Sequence, residues 1–291
     1  TFRIPYMIPK IKIIECPRDA MQGIHRFIDT SIKLKYLDQL LNVGFDTIDF
    51  GSFVSPKAIP QMRDTHELIQ KLNLNKRPTS LLAIIANLRG AMEASKYDTI
   101  SYLGYPFSVS ETFQVRNTNS SIEESFETVK HIQDIAVKSD KKLIVYLSMA
   151  FGNPYGDPWN AEIVSYWADQ LIPIGCNIIA LSDTIGIATP ESIHYLFSHL
   201  IPAYPQIEFG AHLHTVPALW QEKIEAAYKA GCIRYDGAIK GYGGCPMAKD
   251  DLTGNMPTEH LISFFKELGA DTGINMNQFE GTSDQIAEQV F

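Results

Sequence analysis

Three kinds of sequence feature are missing from this chain of 291 residues. Its four cysteines are scattered and lack the C-x-x-C spacing of a zinc site, which in a chain of this length predicts a reducing compartment and no disulfide scaffold. No apolar run reaches the roughly 18–20 residues of a membrane span. Residues 1–10 lack the apolar segment and cleavage pattern of a signal peptide. We therefore expect a cytoplasmic protein without a membrane partner.

Clustered basic charge is also scarce. The formal net charge is −8 and no basic run exceeds two or three residues, so nucleic acid is not an expected partner. Anionic substrates stay open, because a local site can be positive while the whole molecule is not. Hydrophobic residues make up 45% of the chain and charged residues 20%, which is typical of a globular protein with a substantial core.

Apolar, β-rich runs alternate with helix-like segments along nearly the whole chain, without a linker or a shift in composition. The predicted strands are residues 11–16, 45–50, 80–86, one within 97–107, 142–148, 176–182, 207–214 and 234–239. The predicted helices are residues 31–43, 66–72, 88–95, one from Ser120 or Ser121 to about 138, one ending at 174, 190–200, 220–230 and 258–268. Continuous apolar strands indicate burial on both faces, and their alternation with helices indicates parallel pairing.

Eight such units in about 250 residues match the size of a TIM barrel. A doubly wound open sheet is the alternative, but its first turn should carry a glycine-rich phosphate loop, and the sequence CPRD at residues 16–19 is not one. We therefore predict an α/β fold, a single (β/α)8 TIM barrel domain over residues 1–291. The barrel should occupy about 11–268, with a C-terminal tail at 269–291.

The seventh predicted strand ends in two histidines, His212 and His214. Alternate side chains of a strand share a face, so both imidazoles point the same way with their Cβ atoms roughly 6–7 Å apart. That spacing lets each ring bind one metal ion through a single nitrogen. The alternative is a pair of hydrogen-bonded polar residues at a strand end.

Barrel enzymes place their sites at the carboxyl ends of the strands. Those ends collect two histidines, several acids, an arginine and a thiol, namely Arg18, Asp19, Asp49, Ser52, Asp183, Thr184, His212, His214 and Cys245. Mixed imidazole and oxygen ligands suit Mg²⁺ or Mn²⁺ better than zinc. Structural roles stay open: a turn cap for Asp19, an ion pair for Arg18, and a tight turn at Asp183.

Several segments, in order along almost the whole chain, resemble one family. The sequence ECPRDAMQ at residues 15–22 resembles the first-strand signature of metal-dependent TIM-barrel lyases and Claisen-condensing enzymes. SFVSPK at 52–57, DTIG at 183–186 and GGCP at 243–246 are most similar to the 3-hydroxy-3-methylglutaryl-CoA lyases. The His-x-His pair alone would be shared with homocitrate and isopropylmalate synthases.

The resemblance implies a divalent metal, Mg²⁺ or Mn²⁺, held by Asp19, His212, His214 and Asn255. It implies catalytic roles for Arg18, Cys245, Asp183 and His212, and substrate contacts from Arg18, Gln22, Asp49 and Ser52. The implied reaction is a retro-Claisen cleavage of hydroxymethylglutaryl-CoA, an acyl-CoA thioester, to acetyl-CoA and acetoacetate. The resemblance further implies a homodimer.

The chain departs from the family in four places. Residues 215–217 read TVP where the family has Asp-Thr and a glycine, and the loop after Cys245 is one residue longer. Cys16 and Ala20 stand where glycine or valine is more typical, and Asp49 stands where glutamate is usual. Three alternatives therefore stay open: a related 3-hydroxyacyl-CoA substrate, a synthase that condenses acetyl-CoA with a 2-oxo acid, and a non-catalytic binding subunit.

Overall fold

The computed structural model describes residues 9–74, 78–244, 253–285 and 287–291. Eight parallel strands follow one another around a closed barrel, and the last pairs with the first. They are β1 (Lys12–Glu15), β2 (Thr47–Ser52), β3 (Ser80–Ile84), β4 (Tyr102–Ser108), β5 (Lys142–Ser148), β6 (Ile178–Asp183), β7 (Glu208–Leu213) and β8 (Arg234–Gly237). The predicted (β/α)8 TIM barrel is confirmed.

Helices occupy the connections and the C-terminal segment. They are α1 (Pro17–Gln22), α2 (Thr30–Val43), α3 (Thr65–Lys71), α4 (Leu88–Ser95), α5 (Glu111–Thr118), α6 (Ile122–Lys138), α7 (Ala161–Leu171), α8 (Pro190–Ala203), α9 (Trp220–Lys229), α10 (Thr258–Glu267), α11 (Met276–Gln285) and α12 (Ala287–Val290). Short 3₁₀ helices lie at Pro60–Met62 and Ile239–Gly241. Among the described residues, no helix combines the length and the apolar character that crossing a membrane requires.

Sequence signals at helix ends are confirmed where they are local. Ser121 caps α6 with a capping box: its hydroxyl accepts from the Glu124 N–H at 3.1 Å, and the Glu124 carboxylate accepts from the Ser121 N–H at 2.9 Å. Gly44 ends α2 in the left-handed conformation, with φ of +95°, which glycine adopts without strain. Strand β5 and helix α4 begin and end where the sequence predicts.

Helix α1 was not predicted, and it changes where the first motif lies. Pro17 occupies the first helical turn, a position that needs no backbone N–H. Arg18, Asp19 and Gln22 therefore project from a helix directly after β1. Residues three and four apart on a helix are neighbours, and Gln22 contacts both Asp19 and Arg18. The helix thus holds this polar group together at the carboxyl end of the barrel.

The main hydrophobic core lies between the sheet and the surrounding helices. A smaller cluster takes alternate residues of the strands, and its members are Leu82, Ile144, Tyr146, Ile178 and Ala180. Since successive side chains of a strand face opposite ways, this second cluster fills the inside of the barrel. Strand β8 adds buried polar side chains, Arg234 and Asp236. The inside of the barrel is thus apolar in part and charged near its axis.

The segment after α10 packs back onto the first barrel helix. The Asn275 N–H donates to the Val43 carbonyl at 2.7 Å, and the Phe279 ring meets Phe45 edge-on at 6.4 Å. The ring of Phe291 contacts Tyr36 at the same centroid distance. The predicted tail at 269–291 therefore forms helices that cover α2. The division of the chain at about residue 268 stays a prediction.

Candidate functional site

Asp19, His212 and His214 meet at the carboxyl end of the barrel. One ligand atom from each lies within 4.8 Å of the others, and the two imidazole centroids are 5.3 Å apart. Asn255 joins them from the segment before α10, where its Nδ2 donates to Asp19 Oδ2 at 2.7 Å and to the Tyr242 carbonyl at 2.8 Å. The structure therefore brings together all four residues that the sequence proposes as metal ligands.

His214 is the residue whose surroundings most favour a metal. Only 2% of it is exposed, and neither ring nitrogen has a hydrogen-bond partner among the described residues. Burial, with a smaller contribution from His212, lowers the pKa of His214 to about 4. An imidazole that is buried, neutral and unpaired is destabilising by itself, but it is the form that binds a metal.

His212 is oriented by an aspartate that the sequence analysis did not single out. Its Nδ1 lies 3.1 Å from Oδ2 of Asp236 on β8. Burial opposes charge on His212, but the hydrogen bond to Asp236 and nearby Asp19 outweigh it and raise the pKa of the imidazole. A carboxylate on one ring nitrogen fixes the tautomer and leaves the other nitrogen for a metal. An acid within a buried strand was the available signal for Asp236.

Asp19 supplies an ionised oxygen. Its Oδ1 accepts from Gln22 Nε2 at 2.7 Å and from Arg18 Nη1 at 3.0 Å. Burial alone would raise the pKa of Asp19, but Arg18 and the two histidines lower it below its usual value. Asn255 Oδ1 accepts no hydrogen bond within the described part of the chain, so it can serve as a second oxygen. Two oxygens and two imidazoles fit Mg²⁺ or Mn²⁺.

Arg18 is held in place by the predicted residues around it. Its Nε donates to Asp49 Oδ2 at 2.9 Å, its Nη2 to the same oxygen at 2.5 Å, and its Nη1 to Gln22 Oε1 at 3.0 Å. Burial raises the pKa of Asp49 to about 6 although Arg18 opposes the shift, so the carboxylate is ionised at neutral pH. Asp49 and Asp19 raise the pKa of Arg18 despite its burial, so the guanidinium stays charged.

Asp183 lies near the histidines but not on the cavity surface. It is 1% exposed, and its Oδ2 accepts from Lys223 Nζ at 2.7 Å. Lys223, on α9, also donates to the carbonyls of His214 at 2.8 Å and Gly186 at 2.9 Å. This geometry supports the backbone that carries His214. The catalytic role predicted for Asp183 stays a prediction, and sequence reasoning missed Lys223.

The glycine-rich loop reaches the site as far as the structure describes it. Gly243 has a φ of +94°, and a Cβ there would lie 2.8 Å from Asn255 Nδ2 and 2.9 Å from the Asp19 carbonyl. Only glycine fits so close an approach in that conformation. Cys245, predicted as the catalytic thiol, lies outside the described residues, so its role stays a prediction.

A cavity of about 470 Å³ opens above the cluster. Its floor includes Arg18, His212 and His214, and Gln22 and Ser52 also line it. The opposite wall comes from α5, a helix that was not predicted; the residues it contributes there are Phe113, Arg116, Asn117 and Thr118, followed by Asn119. The Ser110 hydroxyl caps this helix by accepting from the Phe113 N–H at 3.2 Å. Such a capping serine was the local signal for it.

The fold and the site together define a class: a (β/α)8 barrel with a candidate divalent-metal centre at the carboxyl ends of its strands, beneath a cavity. The comparison with known families narrows the class. The model of the HMGL-like family matches residues 10–286, and the chain belongs to that family.

Relatives and solved structures agree with this assignment. The chain is 32% identical to the mitochondrial hydroxymethylglutaryl-CoA lyase of Mus musculus over 286 residues, 97% of this chain and 86% of that protein. It is 30% identical to a 3-hydroxy-3-isohexenylglutaryl-CoA/hydroxy-methylglutaryl-CoA lyase of Pseudomonas aeruginosa, covering 95% of this chain and 92% of that one. An HMG-CoA lyase of Acinetobacter baumannii, in complex with coenzyme A and 3-methylmalate, superposes with a TM-score of 0.89 at 28% identity, covering 100% and 93%.

Proposed function

We propose that this chain is a metal-dependent carbon–carbon lyase that cleaves 3-hydroxy-3-methylglutaryl-CoA to acetyl-CoA and acetoacetate. The observation that carries the proposal is the convergence of Asp19, His212 and His214, with Arg18 beside them on the floor of one cavity. The named activities of the relatives support the substrate, and the bound coenzyme A in the Acinetobacter structure supports a thioester ligand.

The metal would be held by Asp19, His212, His214 and Asn255, which supply two imidazoles and two oxygens. When bound, a divalent ion polarises the substrate's tertiary hydroxyl and a carboxylate oxygen and lowers the pKa of that hydroxyl. The unpaired ring nitrogens of buried His214 support this assignment. Mg²⁺ and Mn²⁺ are the ions we propose, because the donor set holds no thiolate.

Arg18 would bind the thioester side of the substrate. As the carbon–carbon bond breaks, negative charge develops on the thioester oxygen of the acetyl-CoA enolate. A guanidinium that Asp49 and Gln22 already hold in place stabilises that charge without reorganising. Gln22 and Ser52 line the same cavity, where they can contact the substrate.

Two proton transfers complete the reaction. One group takes the proton of the tertiary hydroxyl, and we keep Asp183 and His212 as candidates; of the two, His212 lines the cavity. A second group gives a proton to the enolate carbon, and we propose Cys245 for this step on the basis of the resemblance. A loop that closes over the cavity would exclude water at that stage.

The test is acetoacetate release from hydroxymethylglutaryl-CoA by purified protein, with Mg²⁺ or Mn²⁺ and then with a chelator. We expect release that requires the metal. Asp19→Ala should abolish it without changing the circular dichroism spectrum, since Asp19 sits above the barrel core. Asp134→Ala, at an exposed aspartate of α6, is the matched control and should retain full activity. Release that persists both with chelator and in Asp19→Ala would refute the metal-dependent scheme.

A related 3-hydroxyacyl-CoA is the second candidate substrate. The Pseudomonas relative is named for two acyl groups of different length, and this chain departs from the family after His214 and after Cys245. Metal binding without acetoacetate release would favour this candidate, and longer 3-hydroxyacyl-CoA thioesters should then yield acetyl-CoA. Release of free CoA from acetyl-CoA and a 2-oxo acid would instead indicate the condensing synthase.

The oligomeric state is a separate proposal. We propose a homodimer on the strength of the family resemblance, and light scattering of the purified protein measures it directly. A mass near twice the 32.6 kDa of the chain is the expected result, and the monomer mass would contradict it. A chain that binds neither a metal nor a thioester would support the non-catalytic alternative.

A further inference from the structure

A second group of possible metal ligands lies beside the first. Cys16, His212 and Asp236 each offer one ligand atom, and these atoms lie within 4.8 Å of one another. They come from three neighbouring elements: the residue before α1, strand β7 and strand β8. Cys16 is 1% exposed and Asp236 is 3% exposed, and neither belongs to the lining of the cavity. The group is therefore enclosed, on the barrel side of His212.

Unpaired polar atoms point into this group. Asp236 Oδ1 and the Tyr146 hydroxyl are both buried without a hydrogen-bond partner among the described residues. The Tyr146 ring lies 5.4 Å from the His212 ring, and burial, with Asp236 and Cys16 nearby, raises the pKa of its hydroxyl. The Cys16 thiol makes one long contact, 3.9 Å to the Ile14 carbonyl. A buried polar atom left unpaired is destabilising by about 1–3 kcal/mol, so a ligand at this place would stabilise the fold.

We propose that Cys16, His212 and Asp236 form a second metal site, selective for a thiophilic divalent ion such as Zn²⁺. Thiolate, imidazole and carboxylate are all common zinc ligands, with bonds of about 2.0–2.3 Å, so small side-chain rotations complete the site. The fourth position falls to the Tyr146 hydroxyl or to a water. Because a thiolate favours zinc over magnesium, the site differs in preference from the oxygen-rich one above it.

The two sites share His212, and this makes them compete. At present His212 Nδ1 faces Asp236, which leaves Nε2 for the upper site. Zinc at the lower site takes Nδ1, so the proton there moves to Nε2 and the Cys16 thiol releases its proton to solvent. An imidazole that carries a proton on Nε2 cannot bind a metal through that atom. Zinc below therefore weakens the binding of Mg²⁺ or Mn²⁺ above.

Co²⁺ titration tests the lower site directly, because a thiolate bound to Co²⁺ gives a charge-transfer absorption band in the near ultraviolet. We expect one equivalent of Co²⁺ to give the band in the wild type and in Cys245→Ser. Cys16→Ser should abolish it, and Cys16→Ala is the second variant if serine impairs folding. Cys176→Ser, at a buried cysteine outside the group, is the matched control and should retain the band.

The absence of the band in the wild type would overturn the proposal, and so would its persistence in the folded Cys16 variants. Loss of the band in Cys245→Ser would assign it to the loop thiol and would also overturn the proposal. None of these outcomes depends on lyase activity, so the proposed function can fail while this site stands, and the reverse.

Competition between metals tests the link through His212. Mn²⁺ bound at the upper site is followed by electron paramagnetic resonance while zinc is added. Cys16→Ser should need at least tenfold more zinc to displace half of the Mn²⁺, because only direct competition at the upper site remains. Equal zinc requirements in the wild type and the variant would show that Cys16 binds no zinc that matters to His212.

Discussion

Two buried ion pairs lie at the same end of the barrel, and they differ in what they leave free. In the pair of Asp183 with Lys223, the side chains are each 1% exposed, and the lysine donates to one carboxylate and two carbonyls. Three acceptors match the three N–H groups of an ammonium, so nothing remains for a substrate. In the pair of Arg18 with Asp49, the arginine side chain is 10% exposed and lines the cavity.

The guanidinium of Arg18 is only partly satisfied. Its Nε and one Nη2 N–H bond to Asp49, and its two Nη1 N–H groups bond to Asp19 and Gln22. An arginine has five N–H groups, so one on Nη2 is left without an acceptor among the described residues. The comparison shows that similar ion pairs take different roles: a pair with every donor used holds the backbone of His214, and a pair with a donor to spare can bind a ligand.

The largest effect on stability is expected from Lys223→Met. The substitution leaves the buried Asp183 carboxylate uncompensated, so the free energy of unfolding should fall by about 3–5 kcal/mol. Chemical denaturation followed by circular dichroism measures it. Lys229→Met on the same helix removes an exposed ion pair with Glu225 and is the control; about 1 kcal/mol or less is expected there. Equal losses in the two variants would mean that the closed pair has no special structural role.

Arg18→Gln tests the other pair through turnover. Removing the guanidinium should reduce the rate of acetoacetate release about 10²–10³-fold, by analogy with the loss of an oxyanion donor. The unfolding free energy should fall less than in Lys223→Met, because water from the cavity can solvate the exposed end of the site. Arg18→Lys keeps the charge without the forked geometry and should fall between the two. Undiminished turnover in Arg18→Gln would make this pair structural as well.

Glu15 sharpens the comparison because it is a buried acid without a cationic partner among the described residues. One of its oxygens accepts from the Ile239 N–H at 2.9 Å, and the other lies 2.6 Å from the Thr258 hydroxyl. Burial, only partly opposed by these hydrogen bonds, raises the pKa of Glu15 to about 8 from a usual value of 4.5. The folded protein therefore retains a proton at neutral pH that the unfolded chain releases.

Between pH 4.5 and about 8, Glu15 should make the folded state less stable as the pH rises, and below pH 4.5 this contribution is fully present. The slope is at most about 1.4 kcal/mol for each pH unit. Glu15→Gln removes the titration, so the variant should gain stability relative to the wild type as the pH rises through that window. Denaturation at several pH values measures the difference, with the exposed Glu267→Gln as control. Parallel curves for Glu15→Gln and the wild type would contradict the raised pKa.

Much of the fold could be predicted because its signals are local. Alternation of apolar strands with helices predicts a parallel barrel, and β5 and α4 were placed correctly at both ends. The rule that barrel sites lie at strand ends selected Asp19, His212 and His214, which the structure brings within ligand distance. Asn255 was reached through the family resemblance, because no periodicity of the sequence marks it.

Other features depended on which chain segments meet in space. Helix α1 was missed because six residues after a strand carry too weak a pattern, and α5 was missed although Ser110 is a good cap. Asp236 and Lys223 contact His212 and His214 from elements that follow them along the chain, and no local pattern announces such pairs.

The sequence by itself determined the class of fold and the chemical types at the carboxyl rim, because strand period, helix ends and residue order are properties of the chain. Only the tertiary structure decided which of those side chains are satisfied. Asp183 and Arg18 look alike as charged residues at strand ends, yet burial closes one pair around Lys223 and leaves the other at a cavity. The reason is physical: a donor's role depends on its neighbours from the whole barrel, and closing the barrel is what brings them together.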